Sequence, residues 1–265
     1  MSNRMERVFA RCREQKRAAF IPYICAGDPS LSATVEIALA LEEAGADLIE
    51  LGVPFSDPLA DGIVNQLAAQ RALEAGATVR GVLDCVTEIR LKSEMPIVLY
   101  TYLNPMVQFG LTEFYHEAEV AGVDGLLILD LPPDEDVVVH SDVIAHIRLV
   151  APTTPAKRLA TICARGAGFI YYVSREGVTG AQTSVAVSLP EKVKAIRACT
   201  NLPIAVGFGV SNAEQAAQVA QHGDAVVVGS AIVSQIAEHG RDPQLAQKIG
   251  EFVRPIAAAA RATRA

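Results

Sequence analysis

The chain has 265 residues, of which 51% are hydrophobic and 20% are charged, and its formal net charge is −7 at pH 7. A chain of this length can bury a sizeable core without disulfides or metals, and its apolar fraction excludes a disordered protein. An acidic chain without a block of basic residues is not typical of proteins that bind nucleic acids or anionic membranes.

The N-terminal segment predicts an amphipathic helix. Met5, Val8, Phe9 and Cys12 repeat at the spacing of one helix face, with arginine and glutamate residues between them. This segment lacks the apolar core of a signal peptide, and its glutamates are not typical of a transit peptide. We therefore expect the segment to pack as part of the fold.

The cysteine pattern favours a cytoplasmic protein. The cysteines are odd in number and never closely spaced, which is typical neither of a disulfide framework nor of a zinc site. No apolar stretch is long enough to span a membrane. We expect reduced, mostly buried thiols at Cys12, Cys25, Cys85, Cys163 and Cys199.

Short apolar runs alternate with longer segments of helical periodicity along the chain. Runs that are apolar at nearly every position are typical of parallel strands covered on both faces. The predicted strands are 20–25, 46–51, 97–102, 125–130, 148–150, 169–173, 204–206 and 225–228. The predicted helices are 32–44, 78–92, 112–121, 135–147, 155–165, 190–199, 213–221 and 243–260.

This alternation predicts an α/β fold with a parallel sheet and right-handed crossovers. Eight units in about 250 residues favour a (β/α)8 TIM barrel, with the N-terminal helix as an extra element. A doubly wound open sheet is the alternative, but no Gly-x-Gly-x-x-Gly motif follows the first strand. Because no linker divides the chain, we expect residues 1–265 to form a single domain.

Glu50 is the most unusual residue of the predicted strands, because it interrupts the apolar run of the second one. Function in TIM barrels lies at the C-terminal ends of the strands and in the loops that follow them. A carboxyl group there either faces the barrel mouth or is buried, and burial raises its pKa towards general acid–base use. A structural ion pair inside the barrel is the alternative interpretation.

The loop after this strand, residues 53–62, is long and carries Asp57 and Asp61. Long strand-to-helix loops are more often functional than structural, although Asp-Pro and Asp-Gly pairs also suit ordinary turns. Glu50 and Asp61 together could supply an acid and a base on opposite sides of one substrate.

Three glycine-containing loops follow the last three predicted strands, at 177–181, 206–210 and 228–231. Glycine lets backbone N–H groups approach an anion, and Ser230 can begin a helix whose N-terminus faces that anion. Since no cluster of lysine or arginine accompanies these loops, we expect backbone groups to hold a phosphate here.

Several of these segments resemble those of the tryptophan synthase alpha subunit family. The segments are FIPYICAGDP at 20–29, ELGVPFSDPLADG at 50–62, YYVSREGVTG at 171–180 and GFG at 207–209. The resemblance covers nearly the whole chain. It implies a carbon–carbon lyase that cleaves indole-3-glycerol phosphate into indole and glyceraldehyde 3-phosphate by a retro-aldol step.

The resemblance also implies roles for single residues. Glu50 would be the general acid–base, Asp61 would accept the indole N–H and stabilise the positive charge of the ring, and Tyr171 would lie beside them. The residues implied for the phosphate site are Gly180, Gly209, Gly229 and Ser230, with Thr179 on a loop that closes over the substrate. The residues implied for the indole pocket are Tyr23, Leu99 and Phe208.

A partner is implied as well. Alpha subunits bind a beta subunit in an α2β2 assembly and pass indole to its pyridoxal phosphate, so no cofactor is expected on this chain. The residues implied to face the partner are Asp57, Pro58, Asn104 and Pro105. One departure is Ile63, where many relatives have proline, and it puts closure of the loop in doubt more than the chemistry.

Two further alternatives remain open from the sequence, besides a lyase that acts without a partner. An enzyme similar to indole-glycerol phosphate synthase would need a lysine acid, and no predicted strand end offers one. A catalytically silent barrel kept as an allosteric subunit would not need both Glu50 and Asp61.

Overall fold

The structure, a computed structural model, describes residues 3–132, 135, 141–173, 185–207 and 209–262. In this part of the chain the strands are β1 Ala19–Cys25, β2 Ile49–Gly52, β3 Ile97–Thr101, β4 Gly125–Ile128, β5 Ala145–Val150, β6 Ile170–Val173, β7 Ile204–Gly207 and β8 Ala225–Val228. The helices are α1 Arg4–Glu14, α2 Leu31–Glu43, α3 Ile63–Glu74, α4 Val79–Arg90, α5 Leu103–Phe109, α6 Leu111–Ala121, α7 Ala156–Ala164, α8 Val185–Arg197, α9 Ala213–Ala220, α10 Ser230–His239 and α11 Leu245–Ala260.

The eight strands form a closed barrel in chain order. Each strand pairs in parallel with the next, and β8 pairs with β1 to close the ring. The predicted (β/α)8 barrel is therefore confirmed, and the C-terminal ends of all eight strands meet at one mouth. No helix in these described ranges has the length and apolarity that crossing a membrane requires.

One predicted helix is wrong in part. The segment 135–147 was expected to be helical, but Ala145–Val150 is β5, so the strand begins three residues before the predicted 148–150. Ile147 packs inside the barrel and His146 lies on the strand, with its Nε2 2.8 Å from the hydroxyl of Tyr115. Residues 136–140 lie outside the described part of the chain. Two helices, α3 and α5, were not predicted.

Strand side chains pack in two layers, as alternation along a strand requires. Inward-facing residues such as Ile21, Val98 and Leu127 form a core inside the barrel. Outward-facing residues such as Leu99 pack in the larger core between the strands and the helices. Four of the five cysteines are buried thiols, which confirms the expected burial.

Helix α1 covers the N-terminal end of the barrel. Its buried residues are those predicted from the helical period, Met5, Val8, Phe9 and Cys12. They join the inner core, where the rings of Phe9 and Phe169 lie 5.8 Å apart. Access to the barrel interior is therefore left to the opposite end, the mouth.

Aspartates one or two residues before β2, β4 and β8 connect the strands at the N-terminal end of the barrel. Carboxylate oxygens of Asp47, Asp124 and Asp224 accept hydrogen bonds from the backbone N–H groups of Phe20, Ile97 and Ile204, respectively. Each carboxylate also pairs with an arginine, at 2.7–2.8 Å: Arg17, Arg90 and Arg197 in the same order. The same local device thus recurs in three of the four β-α-β-α quarters.

Candidate active site

A cavity of about 430 Å³ opens at the C-terminal mouth of the barrel. Its lining comes from strand ends, from the start of α3 and from the glycine loops after β7 and β8. The lining residues are Tyr23, Glu50, Gly62, Ile63, Val64, Asn65, Tyr100, Tyr171, Val173, Gly207, Gly209, Val227, Gly229 and Ser230. Aromatic and aliphatic walls with a few convergent polar groups are typical of a site for a small organic substrate.

Glu50 reaches this cavity from β2, at the level of Tyr23 on β1 and Val98 on β3. Its side chain is fully buried, and neither carboxyl oxygen has a hydrogen-bond partner among the residues that the structure describes. Burial raises its pKa from 4.5 to about 8. The group is therefore mainly protonated at neutral pH, so it can donate a proton to a substrate and later take one back.

Asp61 lies in the loop between β2 and α3, and its carboxyl group contacts Tyr100, which lines the cavity. The Tyr100 hydroxyl donates to its Oδ1 at 3.0 Å, and the Tyr102 hydroxyl donates to its Oδ2 at 2.8 Å. The amide of Gln66 donates to the Asp61 backbone carbonyl at 2.8 Å. Burial raises the pKa of the carboxyl, and the tyrosine hydrogen bonds oppose that rise. Asp61 is thus a carboxyl group held by neutral donors.

Two tyrosines fit into the mouth because glycine faces their hydroxyls. A Cβ atom on Gly207 would come within 2.5 Å of the Tyr171 hydroxyl, and one on Gly52 within 2.5 Å of the Tyr23 hydroxyl. Burial is the main cause that raises the pKa values of Tyr23 and Tyr171; the next cause is the Cys25 thiol for Tyr23 and the Glu50 carboxyl for Tyr171. Both phenols therefore stay protonated.

The phosphate side of the cavity is formed by the ends of β7 and β8. Gly209 has a positive φ of 66°, and a Cβ atom there would meet no atom of the described chain within 4 Å. Gly229 precedes α10, whose N-terminus begins at Ser230 and has no side-chain cap. A helix N-terminus next to glycine backbone attracts an anion. Thr179, Gly180 and Phe208 lie outside the described residues.

Leu99 is not brought into the cavity. It is fully buried in the outer core, where it faces the helices, and its neighbour Tyr100 faces the mouth instead. Strand alternation explains the difference, because one residue along a strand reverses the side-chain direction. The resemblance implied Leu99 for the indole pocket, but the residue of β3 that lines this cavity is the next one along the strand, Tyr100.

The four residues expected to face a partner lie at the rim. Asp57 and Asn104 are exposed, and Pro58 and Pro105 are partly buried. Their two segments contact each other, because the Ala60 N–H donates to the Tyr102 hydroxyl at 3.0 Å and the Phe55 ring lies 5.3 Å from that of Tyr102.

Sequence reasoning missed three polar residues of the site: Tyr100, Tyr102 and Asn65. The two tyrosines continue the inward alternation of Val98 on β3, which was a usable signal. Asn65 lies in the first turn of α3, a helix that was not predicted, so nothing marked its place. Its Oδ1 is buried without a partner among the described residues.

Comparison with known proteins gives a consistent result. A model of the tryptophan synthase alpha chain family matches residues 9–261. The tryptophan synthase alpha chain of Opitutus terrae is 53% identical over 246 residues, covering 91% of this chain and 92% of that protein. The alpha chain of Alkalilimnicola ehrlichii is 47% identical over 264 residues, covering 96% of both.

Solved structures agree with these sequence matches. The crystal structure of tryptophan synthase subunit alpha from Legionella pneumophila has a TM-score of 0.85 at 35% identity, covering 98% of this chain and 99% of that one. A chain of Mycobacterium tuberculosis tryptophan synthase has a TM-score of 0.87 at 36% identity, covering 99% and 100%. The fold, the mouth with its two carboxyl groups and these matches together show that the chain belongs to the tryptophan synthase alpha chain family.

Proposed function

We propose that Glu50 and Asp61 are the two catalytic carboxyl groups of the family's reaction. That reaction is the cleavage of indole-3-glycerol phosphate to indole, and enzymes that catalyse it are carbon–carbon lyases. The observation that carries the proposal is Glu50, a fully buried carboxyl group at the mouth without a hydrogen-bond partner in the described chain. Such an arrangement is costly for stability and useful for proton transfer.

The proposed chemistry balances with one shuttled proton. Protonated Glu50 donates to C3 of the indole, which makes that carbon tetrahedral and places positive charge on the ring nitrogen. The Glu50 carboxylate then removes the proton from the adjacent glycerol hydroxyl, the carbon–carbon bond breaks, and its electron pair restores the aromatic ring. Glyceraldehyde 3-phosphate and indole are formed, and Glu50 ends protonated as it began.

Asp61 stabilises this sequence by accepting the hydrogen bond of the indole N–H. The charge on the ring nitrogen grows after protonation at C3, so a fixed carboxylate there binds the transition state more tightly than the substrate. Tyr23 and Tyr171, which line the same cavity, supply apolar surface for the ring and a phenol near Glu50. No metal or other group is needed for these steps.

The phosphate of the substrate is proposed to lie against Gly209, Gly229 and Ser230. The glycine backbone and the uncapped N-terminus of α10 support this placement of the phosphate. The roles of Thr179, Gly180 and Phe208, all implied by resemblance, stay predictions.

Alpha chains of this family work with a beta subunit, and we propose an α2β2 assembly in which pyridoxal phosphate belongs to the beta subunit. The rim beside Asp57, Pro58, Asn104 and Pro105 supports this. Exposed apolar side chains stand next to them: Leu59 is 83% exposed, Ile63 62% and Val107 48%. Exposed apolar side chains near the expected rim residues suit a contact with another protein. The cytoplasmic location indicated by the cysteines likewise stays a prediction.

The test is indole release from indole-3-glycerol phosphate, measured with and without the cognate beta subunit. We expect slow release by this chain alone and faster release with the partner. Release that ignores the partner would leave the lyase and remove the proposed coupling. No release under either condition would contradict the catalytic proposal and favour a silent barrel.

A further inference from the structure

Tyr100 contacts Asp61 from inside the cavity. Its hydroxyl donates to Oδ1 at 3.0 Å, and its ring meets that of Tyr23 edge to face at a centroid distance of 4.9 Å. The side chain is held by β3 at its backbone and by Tyr23 at its ring, so its hydroxyl has a fixed position. A hydrogen-bond donor on rigid elements is better suited to orienting a carboxylate than one on a loop.

The two tyrosines that bind Asp61 differ in what else they do. The Tyr102 hydroxyl accepts the backbone N–H of Ala60 while it donates to Oδ2 of Asp61, so it also anchors the loop. Tyr100 lines the cavity and donates to the other carboxylate oxygen, Oδ1. Substitution of Tyr100 therefore changes the carboxylate with less effect on the loop.

We propose that Tyr100 is a positioning residue for the lyase reaction, which fixes Oδ1 of Asp61 at the cavity before the substrate binds. This inference rests on the proposed function of Asp61. A tyrosine hydroxyl on each oxygen restricts rotation of the carboxylate, and the indole N–H would take the place of the long 3.5 Å contact between the Asn65 amide and Oδ1. Because the carboxylate is already oriented before the substrate binds, no further entropy has to be lost to orient it in the transition state.

The groups around Asp61 determine the direction in which its pKa moves when the Tyr100 hydroxyl is removed. Among the residues that the structure describes, no arginine or lysine interacts with its carboxyl group. The hydroxyls of Tyr100 and Tyr102 and the weaker contact of Asn65 favour the ionised form. The groups that sense its charge from β1, β3 and β6 are Tyr23, Cys25, Tyr100, Tyr102 and Tyr171. Loss of one donor should therefore raise the pKa of Asp61.

The experiment is Tyr100→Phe, with Tyr115→Phe as the matched control. Tyr115 is also a buried tyrosine with a hydrogen-bonded hydroxyl, but its partner is His146 in the outer part of the barrel. Both variants keep the ring and lose one hydroxyl. Indole release gives kcat and KM as functions of pH, and a 13C NMR titration of the Asp61 carboxyl, assigned with Asp61→Asn, reports its pKa without any turnover.

For Tyr100→Phe we expect kcat to fall about tenfold with little change in KM, as for a lost hydrogen bond to a charged group that matters most in the transition state. The Asp61 titration and the acid limb of kcat/KM should both move to higher pH, and Tyr115→Phe should do neither.

The positioning role would be overturned if Tyr100→Phe had the wild-type kcat and the wild-type Asp61 titration. It would also be overturned if Tyr115→Phe lost as much kcat as Tyr100→Phe. If Asp61→Asn itself kept wild-type turnover, the proposed role of Asp61 would be wrong, and the positioning role would fail with it. The NMR titration separates these cases, because it still shows whether Tyr100 holds the carboxyl.

Discussion

Buried carboxyl groups lie at both ends of the barrel, but their surroundings differ. At the N-terminal end, two nitrogens of the Arg17 guanidinium contact the two oxygens of Asp47 at 2.8 Å each, and the Phe20 backbone N–H adds a third hydrogen bond. At the mouth, Glu50 is as deeply buried and has no partner in the described chain. The buried carboxylate at the N-terminal end is paired with arginine, whereas the buried carboxyl group at the mouth has no partner among the described residues.

The N-terminal end of the barrel is therefore suited to stability, and the mouth is suited to chemistry. At the N-terminal end, the Asp47 carboxylate joins Arg17 to the backbone of β1 and so stabilises the fold. A carboxyl group that burial keeps protonated near neutral pH destabilises the fold when it ionises, yet it is poised to exchange a proton. Local rules of polar satisfaction are broken where function requires it.

The largest expected effect is on turnover when Glu50 is changed. Glu50→Gln keeps the volume and removes the exchangeable proton, so we expect kcat for indole release to fall by about 10²–10⁴-fold. Because no hydrogen bond is lost in the described chain, the melting temperature at pH 7 should not decrease. Turnover within a few fold of wild type would remove Glu50 from the mechanism.

The opposite pattern is expected at the N-terminal end. Asp47→Ala leaves Arg17 buried without its partner and should lower the free energy of unfolding by about 3–5 kcal/mol, as measured by urea denaturation. Indole release by the folded fraction should remain close to wild type, since the mouth is at the other end of the barrel.

Asp224→Ala is the matched comparison for Asp47→Ala. It has the same local arrangement, but the side chains of Arg197 and Asp224 are 47% and 27% exposed. Its ion pair should therefore matter by no more than about 1 kcal/mol. Equal losses in the two variants would show that burial does not set the difference.

The ionisation of Glu50 should also make the folding stability depend on pH. Its pKa is raised by burial from 4.5 in the unfolded chain to about 8 in the folded one, so the folded state holds the proton more tightly. Relative to Glu50→Gln, the wild type should lose about 1.4 kcal/mol of stability per pH unit between these values, and no more above them. Denaturation curves of both proteins from pH 5 to 9 measure this difference, and a constant difference would contradict it.

The smallest effect is expected at the phosphate side. Gly209→Asp places a negative charge where the phosphate is proposed to bind, so KM should rise about tenfold with less change in kcat. Gly209→Asn is the matched control, because asparagine also tolerates the left-handed backbone at this position and carries no charge. Equal KM values for the two variants would argue against an anion at this site.

Sequence reasoning placed the strands well because buried parallel strands have continuous apolar runs, and each of the eight was found. It also identified Glu50, since a carboxyl group inside such a run has few explanations. It failed at β5, where His146 and Arg148 interrupt the apolar run and the preceding residues continued a helical pattern. The start of β5 depends on pairing with β4, which no local pattern contains.

The site itself was predicted only in part. The resemblance assigned Leu99 to the pocket, whereas the barrel register turns Tyr100 inward. The hydrogen bonds from Tyr100 and Tyr102 to Asp61 connect residues about 40 positions apart in the chain. Sequence periodicity gives no information over that separation. Residue types could likewise not show that Glu50 lacks a hydrogen-bond partner among the described residues, because that depends on the side chains of every neighbouring element.

The most direct test of this account is a 13C NMR titration of the Glu50 carboxyl, assigned by comparison with Glu50→Gln. We expect a titration midpoint near 8, with the group protonated at neutral pH and ready to donate to the substrate. A midpoint near 4.5, the ordinary value, would show that Glu50 is already ionised and would contradict its role as the proton donor.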